Sequence, residues 1–307
     1  MRGVPSPIDQ YLNAARTGRH HWWHWILGIV LVIALYLAGT YALYTLIYAG
    51  VDMLKPEGAI SVTAYEMVDY LGLITSFLPL FFATFLVHRY WHSRPITALL
   101  TYTSRFRWGH AARAAFTTFA VYAIATPILF IFDPEVLTRI SDWRLYAVGL
   151  GMTLLFIPFQ AAAEEIAVRG YLNQALIKYL KYPWVIFLLT SAFFGWLHAS
   201  NPEAEGQMLT YMMSITGFGL LMCILLYFEG GLESAIGVHI ANNIFVFAIV
   251  GYEDPTLPEL AIWSTGPPEI TFGGSLLELS IVALTVAIVL FWNKQADKKN
   301  LAEERIF

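Results

Sequence analysis

Eight stretches of this 307-residue chain are apolar for about 20 residues each, the length required to cross the hydrocarbon of a bilayer. They fall near 26–48, 70–88, 114–132, 147–180, 184–200, 207–228, 234–251 and 274–292. Backbone groups in lipid must find partners within their own segment, so each stretch is expected to be helical. Only 13% of the residues are charged and 58% are hydrophobic, where a soluble domain carries about 25% charged residues. The fold class expected is therefore all-α, a polytopic membrane bundle of about eight helices forming a single domain over 1–307.

The charges suggest an orientation. With the N-terminus inside and alternating spans, the inner segments hold Arg2, Arg16, Arg19, Arg89, Arg94, Arg105, Arg107, Arg113, Lys178, Lys181, Lys294, Lys298, Lys299 and Arg305. With Arg169 that is 15 of the 18 Lys and Arg residues, leaving Lys55, Arg139 and Arg144 with acids such as Asp52, Glu57, Asp133, Glu203, Glu205, Glu253 and Asp254 outside. Both tails, 1–25 and 293–307, are thus expected on the cytoplasmic side of a plasma or inner membrane. The run Arg89 to Arg113, with Trp91, Phe106 and Trp108, reads as an interfacial helix on the anionic leaflet. The cluster His20 to Trp25 reads as an aromatic belt rather than a metal site. Pro127 and Pro158 fall inside spans and are expected to kink them. The single Cys223 allows no internal disulfide and reads as a small core residue. A formal net charge of −4 without a long basic run leaves nucleic acid out as a partner; membrane lipid is the partner composition implies.

Against this apolar background a few polar side chains stand out. Glu164 and Glu165 close the run Leu145 to Ala163, and Arg169 follows. Ionisable groups at membrane depth cost a few kcal/mol each and persist only with partners and a task. Glu165 and Arg169 are four residues apart on a helix, so the guanidinium is expected to hold Glu165 through two hydrogen bonds. Glu164 is rotated away by about 100° and is free to meet something else. His198 lies 17 residues after the turn residue Lys181 and Glu164 lies 17 before it, so an antiparallel hairpin sets them at similar depth. Phe194, one turn before His198, and Trp196 are expected to make a dry wall beside the imidazole. His239 and Asn243 are again four apart and face one way. The arrangement suggests a membrane-embedded hydrolase, although an ion pair, a lone buried histidine and an asparagine joining helices each have a purely structural reading.

These elements, Glu164-Glu165-x-x-x-Arg169, Phe194-x-x-x-His198 and His239-x-x-x-Asn243, resemble the signature of the CAAX-protease and bacteriocin-processing family, the intramembrane endopeptidases related to type II CAAX prenyl proteases. The motif-bearing core is 147–251. The resemblance implies that Glu164 and His198 activate a water, that His239 and Asn243 stabilise the tetrahedral oxyanion, and that Arg169 with Glu165 supports them beside Phe194. It implies a peptide or protein substrate, lipid-anchored or membrane-spanning, without specifying prenylation. No cofactor is expected. Two His and two Glu could ligate a divalent metal such as zinc, but the His-Glu-x-x-His pattern of zinc proteases is missing, and a metal-independent glutamate mechanism is favoured. Two other functions compete: a non-proteolytic scaffold or immunity protein of the same family, and a proton-coupled transporter. The clustering of polar residues toward one side and the lack of a matched pair of broken helices count against the transporter.

Overall fold

In a computed structural model, residues 5–54, 62–132, 138–139, 142–180, 182–252, 260–264 and 270–304 are described. Twelve α-helices are found among them: α1 (Pro7–Asn13), α2 (Trp22–Leu54), α3 (Val62–Thr75), α4 (Phe77–Leu86), α5 (Thr97–Leu100), α6 (Trp108–Phe132), α7 (Trp143–Glu165), α8 (Asn173–Leu176), α9 (Pro183–Leu197), α10 (Met208–Glu229), α11 (Glu233–Ala248) and α12 (Phe272–Glu304). The only sheet among the described residues is a fringe of three two-residue strands, β1 (Thr138–Arg139), β2 (Val250–Gly251) and β3 (Trp263–Ser264), ordered β1-β3-β2. β1 runs antiparallel to β3 and β2 parallel to it. The protein is an all-α, multi-pass membrane bundle.

All eight apolar stretches are helical, but they are not equal. Six described helices are long and apolar enough to cross a membrane: Trp22–Met53, Tyr65–Trp91, Trp108–Ile128, Trp143–Leu176, Met208–Glu229 and Phe272–Lys299. The stretches expected as the fifth and seventh spans form α9 and α11, of 15 and 16 residues, only about 22–24 Å long at 1.5 Å per residue. α11 tolerates this because it is wrapped by protein: Ala235, Val238, Ala241 and Ala248 are all buried, against α6 and α7. α9 differs. Trp184, Leu188, Leu189 and Trp196 on its outer side are exposed to the surroundings of the bundle, while Ile186, Phe187 and Phe194 pack inward. Its inner side meets α10 closely, for a Cβ on Gly195 would stand 2.3 Å from Thr216 Oγ1 and 2.6 Å from the Met212 carbonyl.

One expectation fails on the N-terminal side. The run Arg89 to Arg113 is not one interfacial helix. It is a π-helical turn (Val87–Trp91), the short α5 and an extended link whose Thr101 bridges Gly231, folded back into the bundle. Two of its arginines are consumed by the interior, while Arg89 and Arg105 stay exposed: Arg94 is fully buried, donates from Nη2 to Gln174 Oε1 at 2.9 Å and lies over Trp25, and Arg107 is held by both carboxylate oxygens of Glu233. The segment before Trp22 packs against the bundle. Ile8, Tyr11 and Leu12 of α1 are buried, and Tyr11 donates to the Leu99 carbonyl at 2.7 Å. α12 also continues as helix to Glu304 through most of the expected tail. α6 and α7 run through Pro127 and Pro158 without ending. His20, His21 and His24 stack on one another and His24 on Trp23, and Cys223 is buried beside Ser191. The turn residue Lys181 lies outside the described residues, as do Arg2, Lys55, Glu57, Asp133, Glu253, Asp254 and Arg305 among the charges used for orientation.

Candidate active site

The site begins where α7 changes its winding. Asp142 caps α7 by accepting from the backbone N–H groups of Arg144 and Leu145, and regular helix then carries Glu164 and Glu165 into its last turn. Residues Ile166–Leu172 continue as a π-helical turn, a widening that often accompanies functional positions. Glu165 and Arg169 are both fully buried, with Arg169 Nη1 3.3 Å from Glu165 Oε1. The paired hydrogen bonds expected between them are not formed; the guanidinium instead sits over the Phe194 ring, Cζ 4.0 Å from its centroid. Gly219 on α10 makes room for it: a Cβ there would stand 2.6 Å from Arg169 Nη2.

From α11, His239 enters between the two glutamates. Its Nδ1 is 2.8 Å from Glu165 Oε1, and a carboxylate that only accepts requires Nδ1 to carry the proton. The ring's other nitrogen thereby faces Glu164, Nε2 to Oε2 at 3.7 Å, longer than a hydrogen bond. Phe218 and Phe194 stand edge-on to the imidazole at 5.2 and 6.3 Å. One turn further along α11, Asn243 Nδ2 donates to Gln160 Oε1 at 2.9 Å, and Gln160 Nε2 donates to Glu164 Oε1 at 2.7 Å. Glu164 Oε2 has no hydrogen-bond partner.

His198 caps the end of α9. Its Nδ1 lies 2.8 Å from the Phe194 carbonyl, which can only accept, so in the neutral ring Nε2 is left with the lone pair. Glu164 and His198 do not touch. They line one cavity of about 850 Å³, together with Gln160, Phe194, Tyr171 and the apolar side chains Ile29, Val32, Leu80 and Leu197.

Comparison with known proteins bears on this geometry. The family model described as type II CAAX prenyl endopeptidase Rce1-like matches residues 145–245, the segment that carries every motif residue named above. The motif-bearing segment is similar to that family. A protein of Bacillus subtilis (strain 168) described as uncharacterized protein YyaK is 23% identical over 291 residues, covering 92% of this chain and 96% of that one. No solved structure matches.

Of the residues picked from sequence, Glu164, Phe194 and His198 line the cavity, and Glu165, Arg169, His239 and Asn243 lie behind them. Glu164, Glu165, Arg169 and His239 are linked directly, Asn243 is linked to Glu164 through Gln160, and Phe194 packs against Arg169, His198 and His239. Trp196 is the exception. Two residues from His198, and so some 200° around the helix, it is exposed and stacks on Phe193. Gln160 is the residue that sequence reading missed; its signal was its place one turn before Glu164. Three further groups went unnoticed: Tyr122, whose hydroxyl donates to Asn242 Oδ1 at 2.8 Å; Asn242 itself; and Tyr171, whose hydroxyl is 2.7 Å from His92 Nε2. For a metal, the chemistry of the donor set is a poor fit. Among the described residues no three His, Cys, Asp or Glu side chains are grouped as ligands, because Glu164 is committed to Gln160 and Glu165 to Arg169 and His239.

Proposed function

We propose that this chain is an intramembrane endopeptidase that hydrolyses a peptide bond with a water held between Glu164 and His198. At the family level the Rce1-like core supports a CAAX-type membrane protease; the roles below go further. The observation that carries the reading is the shared cavity, which the Glu164 and His198 side chains both line. A water there gives its proton to the Glu164 carboxylate or to His198 Nε2 as its oxygen attacks the carbonyl carbon. Negative charge then builds on the former carbonyl oxygen. Asn243, with one N–H outside its bond to Gln160, is the donor available to meet it, while His239, its proton on Nδ1, could donate through Nε2 only after gaining a second proton. As the tetrahedral species collapses, the C–N bond breaks and the proton taken from water passes to the leaving amine. Glu165 fixes the proton of His239 on Nδ1, and Arg169 balances the charge of Glu165. No step needs a metal.

The apolar walls suit a peptide delivered from within the bilayer, lipid-anchored or spanning. The distribution of Lys and Arg favours both termini on the cytoplasmic side. Membranes from cells carrying the wild type and Glu164→Gln are to be compared by peptide-end proteomics. At least one new peptide end is expected in the first alone. Identical sets of ends, with both proteins folded and present, would remove Glu164 as the base and leave a scaffolding role.

A further inference from the structure

Glu164 is the last member of a hydrogen-bonded chain that starts on a different helix. Tyr122 on α6 donates its O–H to Asn242 Oδ1 at 2.8 Å. Asn242 Nδ2 donates to Asn243 Oδ1 at 3.0 Å, Asn243 Nδ2 to Gln160 Oε1 at 2.9 Å, and Gln160 Nε2 to Glu164 Oε1 at 2.7 Å. All four bonds run in one direction, toward the carboxylate.

That direction is dictated by chemistry. An ionised carboxylate only accepts, so Gln160 must turn its NH₂ to Glu164 and its oxygen to Asn243. Asn243 must then present NH₂ to Gln160 and its oxygen to Asn242, which must turn its own oxygen to a donor. Tyr122 supplies that donor. Two consequences follow for the site. Asn243 is locked with its N–H edge on the Glu164 side, leaving its second N–H for an incoming oxyanion; a flipped amide would aim an oxygen lone pair there. Glu164 is hydrogen-bonded through Oε1 alone, while Oε2, buried and without a hydrogen bond, faces His239 Nε2 at 3.7 Å. Members of such a chain polarise one another, so the loss of a distant link is felt at its end. Of the chain's members, only Gln160 and Glu164 are among the residues that line the cavity; Asn243, Asn242 and Tyr122 lie behind them.

We propose that Gln160, Asn242 and Tyr122 are positioning residues that fix the amide polarity of Asn243 and the aim of Glu164. This rests on the reading of Glu164 as base and Asn243 as oxyanion donor. Tyr122→Phe removes one oxygen far from the substrate, and Gln160→Met removes the amide that joins the two groups. The rate of appearance of the Glu164-dependent peptide end should fall about 2- to 10-fold in Tyr122→Phe and about 10- to 100-fold in Gln160→Met, the losses expected for a neutral and a charge-assisted hydrogen bond. Thermal midpoints should stay near the wild type for Tyr122→Phe, the variant that keeps the test open if Gln160→Met misfolds. A second readout does not need turnover: the infrared carboxylate stretch of Glu164, isolated as wild type minus Glu164→Gln in lipid nanodiscs. It should move in both variants, as a merely structural role would not require. Wild-type rates, or an unmoved carboxylate band where no peptide end can be followed, would overturn the relay and leave the base assignment standing. Full activity in Glu164→Gln would instead sink the reading beneath it.

Discussion

Glu165 and Arg169 should behave as one energetic unit, and a double-mutant cycle measures it. Both side chains are fully buried, with Nη1 3.3 Å from Oε1. At an effective dielectric of about 20, two unit charges at that separation attract by about 5 kcal/mol. Breaking a buried pair from one side typically costs about 3–5 kcal/mol, because the other charge is left uncompensated. Here each survivor keeps some help: Glu165 retains the His239 Nδ1 bond, and Arg169 retains the Phe194 ring. Arg169→Met and Glu165→Gln are therefore each expected to cost about 3 kcal/mol, the lower end of that range. The double variant has no stranded charge and should cost about 1–2 kcal/mol, so the coupling should exceed about 2 kcal/mol. Thermal unfolding in detergent micelles, followed by tryptophan fluorescence, reads this out: each single variant should lose roughly 6–12 °C at about 2–4 °C per kcal/mol, and the double should recover part of that loss. A double variant whose loss equals the sum of the singles within about 0.5 kcal/mol would refute the pairing.

Two further outcomes can be checked with the same unfolding assay. Gly195→Ala should destabilise the protein by about 1–3 kcal/mol, since the new Cβ meets Thr216 Oγ1 and the Met212 carbonyl; adding Thr216→Ala should recover only part, and a wild-type midpoint for Gly195→Ala alone would refute the close approach of α9 and α10. His92 is pulled down to about 4 by burial, so between its ordinary 6.5 and about 4 the unfolded chain binds a proton that the folded chain refuses. Stability should accordingly fall as pH drops through that window and level off above it, and His92→Asn should flatten the fall; an unchanged pH slope would show that another group sets it.

Much of this molecule can be read without coordinates. Apolar length alone locates all eight helical stretches, because lipid leaves the backbone no other choice. Glu165 with Arg169 and His239 with Asn243 share a face, as i, i+4 spacing requires, but of the expected site residues Glu164, Phe194 and His198 alone line the cavity. What escapes sequence is what depends on partners from elsewhere. Arg94 resembles a surface cation until Trp25 and Gln174 close over it. The expected double hydrogen bond of Arg169 yields to a ring contributed by α9. Tyr122 lies 120 positions before the asparagine it serves, and no local pattern joins them. The length of α11 is set by where protein, rather than lipid, covers the backbone.

The brevity of α9 has a bearing on the membrane itself. A helix of about 22 Å with an outward apolar flank meets hydrocarbon about 30 Å thick, and the mismatch is resolved by thinning the bilayer or by drawing headgroups and water down beside it. His198 sits at the end of that helix, where such a dent would be deepest. Lipid acyl-chain length thus becomes a control on hydration at the imidazole, with shorter chains easing the entry of water and longer ones withholding it.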